Sequence, residues 1–293
     1  MSEAVGIIGL GVLGSAIAEN MLKGGLTLVG FDTNPAASTP LIELGFNPLT
    51  SAGEATLQAN ILFTCLPNVA ALASVCDEVA DAGQSGQIVV ELSTLPVVDK
   101  EAARTRLAAS DITLLDIPVS GNRIMALRKG LTAFGSGDRT AYDRVEPILL
   151  TFCKKAHYVG EFGCGSKMKF VGNMLNLVHN SIAAEAMVLG MKSGLDAKLI
   201  HEVISGSGSS SAMFEVRGAL MAENDYRREG MNFSVPLKDS RIISEHAARL
   251  SCPTPIYQAA LQSYYAAVAQ GHRDEDQSAV CAAMERAANC ERD

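Results

Sequence analysis

The chain has 293 residues, of which 48% are hydrophobic and 19% charged, and it contains no tryptophan. This length suits one large domain or two ordinary ones, and the composition is that of a folded protein rather than a disordered one. The net charge of -8 argues against a general nucleic-acid-binding surface, which needs an excess of basic residues. No apolar run approaches the roughly 18 residues of a membrane helix.

The N-terminal segment and the cysteines both favour a cytoplasmic protein. MSEAVGIIGLG has no basic segment followed by an apolar core, so no signal peptide is predicted. The seven cysteines are scattered, odd in number and without CxxC spacing. We therefore expect reduced thiols and no metal site. Cys164 is interpreted as a small filler residue in preference to a nucleophile.

In the first half of the chain, short β-rich runs alternate with alanine-rich helical segments. Strands are predicted at 4–8, 26–31, 59–66, 87–92, 112–119, 131–137 and 155–160. Helices are predicted at 11–23, 35–44, 51–58, 69–81, 97–109 and 138–152. This alternation predicts a parallel sheet with helices on both faces, which is the α/β Rossmann arrangement.

After residue 160 the pattern becomes helical. No proline interrupts 166–193, which predicts a helix of about 28 residues, near 40 Å long. Further helices are predicted at 194–205, 212–222, 238–250, 255–270 and 276–288. We therefore expect a Rossmann domain over 1–162 and an all-α substrate and oligomerisation domain over 163–293, joined by the long helix.

A glycine fingerprint lies between the first predicted strand and the first predicted helix. GLGVLG at 9–14 fits GxGxxG, and Asp32 ends the next strand 18 residues after Gly14. The glycines permit a tight turn, close approach of a pyrophosphate and close helix packing. A carboxylate at Asp32 accepts hydrogen bonds from ribose hydroxyls and repels a 2′-phosphate, which favours NAD over NADP. The predicted cofactor contacts here are Gly9, Leu10, Gly11, Val12, Leu13, Gly14 and Asp32; FAD, or a turn without nucleotide, is the alternative.

Further motifs occur along the whole chain. They are CLPN (65–68), ELSTLP (91–96), DIPVSGN (116–122), GCGSKMKFVGN (163–173), GLD (194–196) and LKD (237–239). With the glycine fingerprint, they resemble the β-hydroxyacid dehydrogenase family. Its members include 3-hydroxyisobutyrate dehydrogenase, tartronate semialdehyde reductase and L-threonate dehydrogenase.

The resemblance implies an NAD-dependent oxidoreductase that is a homodimer or homotetramer and acts on a small hydroxy acid. It assigns the catalytic role to Lys169. It assigns cofactor contacts to Leu66, Pro67, Thr94 and Lys238, and substrate contacts to Ser120, Gly121, Asn122 and Asn173. Two positions depart from the family pattern, since Asn122 replaces a glycine and Gly172 replaces the first asparagine of a common pair.

The PVSG loop also suggests a substrate site on physical grounds. A serine hydroxyl and adjacent backbone amides after a strand suit a carboxylate. Ser120 and Gly121 are the expected donors, and Asn122 adds a side-chain amide. An ordinary polar turn is the alternative. Arg123 and Arg128 are either further anion contacts or solvated surface residues.

The helical phase distinguishes two neighbouring lysines. Lys169, Asn173, Asn176 and Asn180 are spaced by 4, 3 and 4 residues, so they share one face of the long helix. Lys167 points about 200° away from Lys169. A stripe of amides favours a polar cleft over an ordinary solvated face, and we expect Asn180 to be structural.

Lys169 suits acid–base chemistry on a hydroxyl or carbonyl group. As an ammonium it donates a proton during reduction, as an amine it accepts one during oxidation, and its charge stabilises an alkoxide. Burial can lower a lysine pKa into a useful range. His179, about 15 Å further along the helix, is too distant to be the base. A polar three- or four-carbon hydroxy acid is the predicted substrate, with 3-hydroxyisobutyrate as the other possibility. The competing functions are an NAD-binding sensor or scaffold without turnover, and an imine reductase-like relative.

Overall fold

The computed structural model describes residues 4–227 and 231–292. Its strands are β1 (Val5–Ile8), β2 (Leu28–Phe31), β3 (Asn47–Pro48), β4 (Ile61–Thr64), β5 (Ile88–Glu91), β6 (Thr113–Asp116), β7 (Val119–Ser120), β8 (Leu131–Gly135) and β9 (Cys153–Tyr158). Its helices in the first half are α1 (Val12–Lys23), α2 (Thr39–Ile42), α3 (Ala52–Gln58), α4 (Val69–Ala82), α5 (Val97–Ala108), α6 (Arg123–Leu127) and α7 (Arg139–Leu149). Those in the second half are α8 (Cys164–Lys192), α9 (Ala197–Ile204), α10 (Ala212–Glu223), α11 (Ser234–Arg249), α12 (Pro255–Ala269) and α13 (Val280–Ala287).

Six strands form one parallel sheet in the order β3-β2-β1-β4-β5-β6. The chain runs outward from β1 in one direction and from β4 in the other, so the strand order reverses between these two strands. The central strands are short apolar runs that are buried on both faces, as a parallel sheet covered by helices requires. The predicted Rossmann domain is confirmed.

Alternate residues of the strands supply two hydrophobic cores, one on each side of the sheet. Ile7 and Val90 belong to one buried cluster, whereas their chain neighbours Ile8 and Val89 belong to the other. This division follows from the two-residue period of a strand.

The run 112–119, predicted as one strand, is divided in the structure. β6 ends at Asp116, and β7 pairs antiparallel with β8, which pairs parallel with β9 in a second sheet of three strands. Pro118 lies at the division and has no N–H for a continuous ladder. Asp116 instead exchanges two backbone hydrogen bonds with Ser136.

The chain forms two compact units, residues 1–169 and residues 170–293. The division falls inside α8, a helix of 29 residues, and the predicted boundary near residue 162 precedes the start of that helix. The second unit is built from the rest of α8 and from α9–α13, which confirms the predicted helical C-terminal region. Among the described residues, no helix is both long enough and apolar enough to cross a membrane.

Candidate active site

The carboxyl ends of four neighbouring strands lie in one row of the main sheet. Ile8 pairs with Thr64, Thr64 with Glu91, and Glu91 with Asp116. The loops that follow these strands therefore start along one edge, and those after β1, β4 and β5 carry predicted cofactor residues. The point between β1 and β4, where the strand order reverses, is where open α/β sheets bind ligands.

The glycine loop after β1 leaves no room for side chains at two of its positions. Gly9 has φ +92°, and a Cβ there would lie 2.3 Å from the Cys65 carbonyl oxygen. A Cβ on Gly14 would lie 2.0 Å from the Gly9 carbonyl oxygen, whereas one on Gly11 would meet open space. In the part of the chain that the structure describes, no side chain caps α1 after Gly11. The first-turn N–H groups of α1, from Val12 onward, are thus suited to a phosphate.

Asp32 organises the same loop. Its Oδ2 accepts from the Leu10 N–H at 2.6 Å and its Oδ1 from the Asn34 N–H at 2.7 Å. A carboxylate oxygen can accept two hydrogen bonds, so both oxygens of Asp32 have capacity for ribose hydroxyls. Leu10, predicted as a cofactor contact, has a buried side chain and donates its amide to Asp32. The glycine loop and Asp32 together fit a dinucleotide.

The loops after β4 and β5 are joined by a serine that the sequence analysis did not single out. The Leu66 N–H donates to Ser93 Oγ at 2.7 Å, and the Ser93 N–H donates to Glu91 Oε1 at 2.9 Å. Leu66 is buried and Pro67 exposed, while Thr94 is half-buried beside Ser93. The hydrogen bond between these two loops therefore fixes the positions of Leu66, Pro67 and Thr94, three predicted cofactor residues, relative to one another.

The predicted substrate loop is a tight turn between β7 and α6. Ser120 ends β7. Gly121 has φ +132°, and a Cβ at this position would lie 2.5 Å from Leu131 Cδ2. Asn122, predicted to contact substrate, uses its Oδ1 to cap α6 by accepting from the Met125 N–H at 2.9 Å. α6 was not predicted. Asparagine occurs both at helix N-caps and at ligand contacts, so Asn122 alone does not indicate the start of a helix.

A buried amide connects this loop to the dinucleotide-binding helix. Asn20 is 3% exposed, and its Nδ2 donates to the Ala16 carbonyl at 3.0 Å and to the Ala126 carbonyl at 2.6 Å. Ala126 belongs to α6, so Asn20 ties α6 to α1. The signal in the sequence is an asparagine among the apolar residues of the predicted 11–23 helix.

The two lysines at the start of α8 lie in different environments. Lys169 is 8% exposed, whereas Lys167 is exposed to solvent. This difference matches the opposite faces that their two-residue spacing gives them on a helix.

In the second unit, two predicted residues share one aspartate. Asn173 Nδ2 donates to Asp239 Oδ2 at 2.7 Å, and Lys238 Nζ lies 3.3 Å from Asp239 Oδ1. Asp239 is 5% exposed. It was not singled out in the sequence, although it completes the LKD motif.

Among the other helix residues weighed for the site, Asn180 has structural partners. Asn180 is fully buried and its Nδ2 donates to the Tyr264 hydroxyl at 2.8 Å and to the Gln277 carbonyl at 3.0 Å. These bonds hold α8 to α12 and to the turn before α13 in the second unit. Asn176 and His179 are both half-buried.

Both halves of the chain match models of known protein families. Residues 4–160 match the family model described as the NAD binding domain of 6-phosphogluconate dehydrogenase. Residues 163–284 match the model described as NAD-binding of NADP-dependent 3-hydroxyisobutyrate dehydrogenase. L-threonate dehydrogenase of Cupriavidus necator is 32% identical over 284 residues, which are 96% of this chain and 95% of that protein. The chain belongs to the β-hydroxyacid dehydrogenase family.

Solved structures agree with this β-hydroxyacid dehydrogenase assignment. A 3-hydroxyisobutyrate dehydrogenase from Salmonella typhimurium is 30% identical, with a TM-score of 0.84 over 95% of this chain and 99% of that one. The 3-hydroxyisobutyrate dehydrogenase of Mycobacterium tuberculosis is 26% identical, with a TM-score of 0.89 over 97% and 99% of the two chains. The protein is an NAD(P)-dependent oxidoreductase that acts on a CH–OH group and uses a nicotinamide cofactor.

A buried charge cluster in this β-hydroxyacid dehydrogenase escaped the sequence analysis. Lys100 Nζ lies 2.5 Å from Glu91 Oε2 and 2.8 Å from Asp116 Oδ1, and all three side chains are inaccessible to solvent. Lys100 Nζ also donates to the Ser93 carbonyl at 2.7 Å. Burial lowers the pKa of Lys100, but Asp116 and Glu91 raise that pKa more, so it lies above the ordinary lysine value. In the sequence, this cluster is indicated by a carboxylate residue at the end of each of two apolar strand runs.

Proposed function

We propose that this enzyme interconverts a small hydroxy acid and its oxo acid or semialdehyde, with NAD as cofactor and Lys169 as general acid and base. The observation that carries the proposal is the burial of Lys169 on α8, in the segment that resembles the family's catalytic-lysine motif. Lys167 has the same chemistry two residues earlier and is exposed.

A bound nicotinamide supplies or accepts the hydride at the substrate carbon. During reduction, the Lys169 ammonium donates a proton to the carbonyl oxygen and stabilises the negative charge that develops there. During oxidation, the Lys169 amine accepts the hydroxyl proton. The Ser120 hydroxyl and the Gly121 amide hold the substrate carboxylate.

Two residues of the second unit keep the roles that the family resemblance gives them. Asn173 binds substrate, and because its Nδ2 donates to Asp239, it offers its carbonyl oxygen to a substrate hydroxyl. Lys238 reaches the cofactor. Both side chains pair with the buried carboxylate of Asp239, which orients them.

Asp32 underlies the proposed preference for NAD. We expect Asp32→Ala to lower the ratio of kcat/KM for NAD to kcat/KM for NADP by roughly 10- to 100-fold, since hydrogen bonds to a charged group contribute about 1.5–3 kcal/mol. The measurement is initial rates with each cofactor. Asp274→Ala, at an exposed aspartate, is the matched control. An unchanged ratio in Asp32→Ala would remove Asp32 from cofactor selection.

The proposed substrate is a polar three- or four-carbon hydroxy acid. The relatives named L-threonate dehydrogenase support this class, and 3-hydroxyisobutyrate is the competing substrate. The test is an NAD-reduction screen over L-threonate, glycerate, tartronate-type acids and 3-hydroxyisobutyrate. We expect the highest kcat/KM for a polar acid. NAD binding without any turnover would favour the sensor or scaffold, and turnover of imines alone would favour an imine reductase-like activity.

We also propose a homodimer or homotetramer in the cytoplasm. Leu175, Ile182 and Leu189 are exposed at seven-residue spacing on α8, which gives the helix an apolar stripe suited to another copy of the chain. All seven cysteines are free thiols, which is the state that a reducing compartment maintains.

A further inference from the structure

The start of α8 is capped by residues from elsewhere in the first unit. Helices begin with N–H groups that have no partner inside the helix. The Gly165 N–H donates to Ser136 Oγ at 2.9 Å and the Ser166 N–H to Asp116 Oδ2 at 2.8 Å. The Ser166 hydroxyl adds a third bond, to Asp116 Oδ1 at 2.8 Å. The acceptors therefore come from the end of β6 and the residue after β8.

Close packing fixes this helix start against the strands. A Cβ on Gly165 would lie 2.3 Å from the Phe134 carbonyl oxygen and 2.6 Å from the Asp116 carbonyl oxygen. The backbone of α8 thus touches the backbone of β6 and β8, and a larger residue would push it away. Lys169 follows Ser166 by three residues, so it lies on nearly the same face, one turn further along.

Asp116 is held in its capping position by Lys100. Its Oδ1 accepts from Lys100 Nζ as well as from the Ser166 hydroxyl, and neither Asp116 nor Lys100 is accessible to solvent. A buried carboxylate needs a cation and hydrogen-bond donors to compensate for its removal from water. Lys100 is that cation, and the Ser166 groups are among the donors.

We propose that Asp116 and Lys100 are positioning residues that set the placement of Lys169. Asp116 anchors the first turn of α8, and Lys100 holds Asp116 in position toward that turn. This inference rests on the proposed function for the chemical role of Lys169, whereas the anchoring of α8 does not depend on it.

Glu91 provides an internal comparison for Asp116. The two carboxylates are register partners on β5 and β6, both are fully buried and both pair with Lys100. Only Asp116 bonds to α8, whereas Glu91 accepts from the Ser93 N–H beside Thr94. Loss of the Asp116 charge should therefore act on Lys169, and loss of the Glu91 charge on the cofactor loop.

The experiment compares Asp116→Asn with Glu91→Gln in the full chain, with NAD and L-threonate as probes. In Asp116→Asn, we expect kcat to fall about tenfold and the pH profile of kcat to shift, as loss of a charge-assisted bond predicts. Hydrogen exchange of the amides of residues 165–169 should accelerate about tenfold. In Glu91→Gln, the change should appear in the KM for NAD, with these amides still protected.

Labelling of Lys169 by acetic anhydride, followed by mass spectrometry across pH, adds a readout that needs no turnover. We expect the pH dependence of labelling to shift in Asp116→Asn and to stay at the wild-type position in Glu91→Gln. If Asp116→Asn does not fold, Ser166→Ala removes only the hydroxyl bond and should give smaller shifts of the same kind.

The outcomes separate this inference from the proposed function. Equal effects of Asp116→Asn and Glu91→Gln on kcat, on exchange at 165–169 and on Lys169 labelling would reduce the cluster to general stabilisation and overturn the inference. So would unchanged exchange and labelling in Asp116→Asn. If no hydroxy acid is turned over by the wild type, the proposed function fails, and selective shifts in exchange and labelling still support the positioning of Lys169.

Discussion

We expect Lys169→Ala to lower kcat by at least about 100-fold, the smaller end of the effect of losing a general acid–base group. The affinity for NAD should change little, because the glycine loop and Asp32 lie on other elements of the first unit. The measurements are kcat for the substrate found in the screen and the dissociation constant for NAD. A melting curve verifies that the loss of a buried side chain has not unfolded the protein.

The adjacent lysine is the matched control for this prediction. Lys167→Ala removes the same chemical group from an exposed position on the same helix, so kcat should stay close to the wild-type value. Lys169→Arg keeps a positive charge but cannot release its proton at ordinary pH, so it should lose activity as well. Equal losses in Lys169→Ala and Lys167→Ala would contradict the assignment of the catalytic lysine.

The main sheet was predictable because its strands are local signals. β1, β4 and β5 are short apolar runs followed by loops and helices, and such alternation has one common solution, a parallel sheet. The second sheet was harder to foresee, because pairing of β7 with β8 depends on where Pro118 interrupts the ladder. Local pattern indicates that a run is a strand, but it does not identify the partner strand.

The candidate site shows the same limit. Helical phase separates Lys169 from Lys167, since phase is a local property of one helix. The partners of Asp116 lie 16 and 50 residues away in the chain, at Lys100 and Ser166, so no short motif contains them. Asn122 is predicted to contact substrate and its Oδ1 also caps α6, a role that the sequence analysis did not foresee because the same amide chemistry serves both purposes.

The largest effect on stability is expected from Lys100→Met. The substitution keeps an apolar stem of similar length but leaves Glu91 and Asp116 buried without their cation. Removing one partner of a buried ion pair costs about 3–5 kcal/mol of unfolding free energy. Urea denaturation at pH 7 measures this loss. Lys154→Met, at an exposed lysine on β9, should stay within about 0.5 kcal/mol of wild type.

The effect of Lys100→Met on the unfolding free energy should also depend on pH. The difference in unfolding free energy between the wild type and Lys100→Met depends on the charge of Lys100, so it should be fully present near pH 7. In the wild type, the raised pKa of Lys100 means that its contribution is lost only at alkaline pH, as pH rises through the folded-state value.

Combining Lys100→Met with Glu91→Gln tests whether unpaired charge is the cause. Removing one of the two carboxylates should restore part of the lost stability, because only Asp116 then remains buried without a cation. A deficit below about 1 kcal/mol in Lys100→Met at pH 7 would contradict the charged cluster. Since a well-packed apolar core can be as stable as a buried ion pair, stability alone does not account for keeping three charges here. The hydrogen bonds that Asp116 accepts from Ser166 supply the other reason, because an apolar side chain at position 116 could not anchor the helix that carries Lys169.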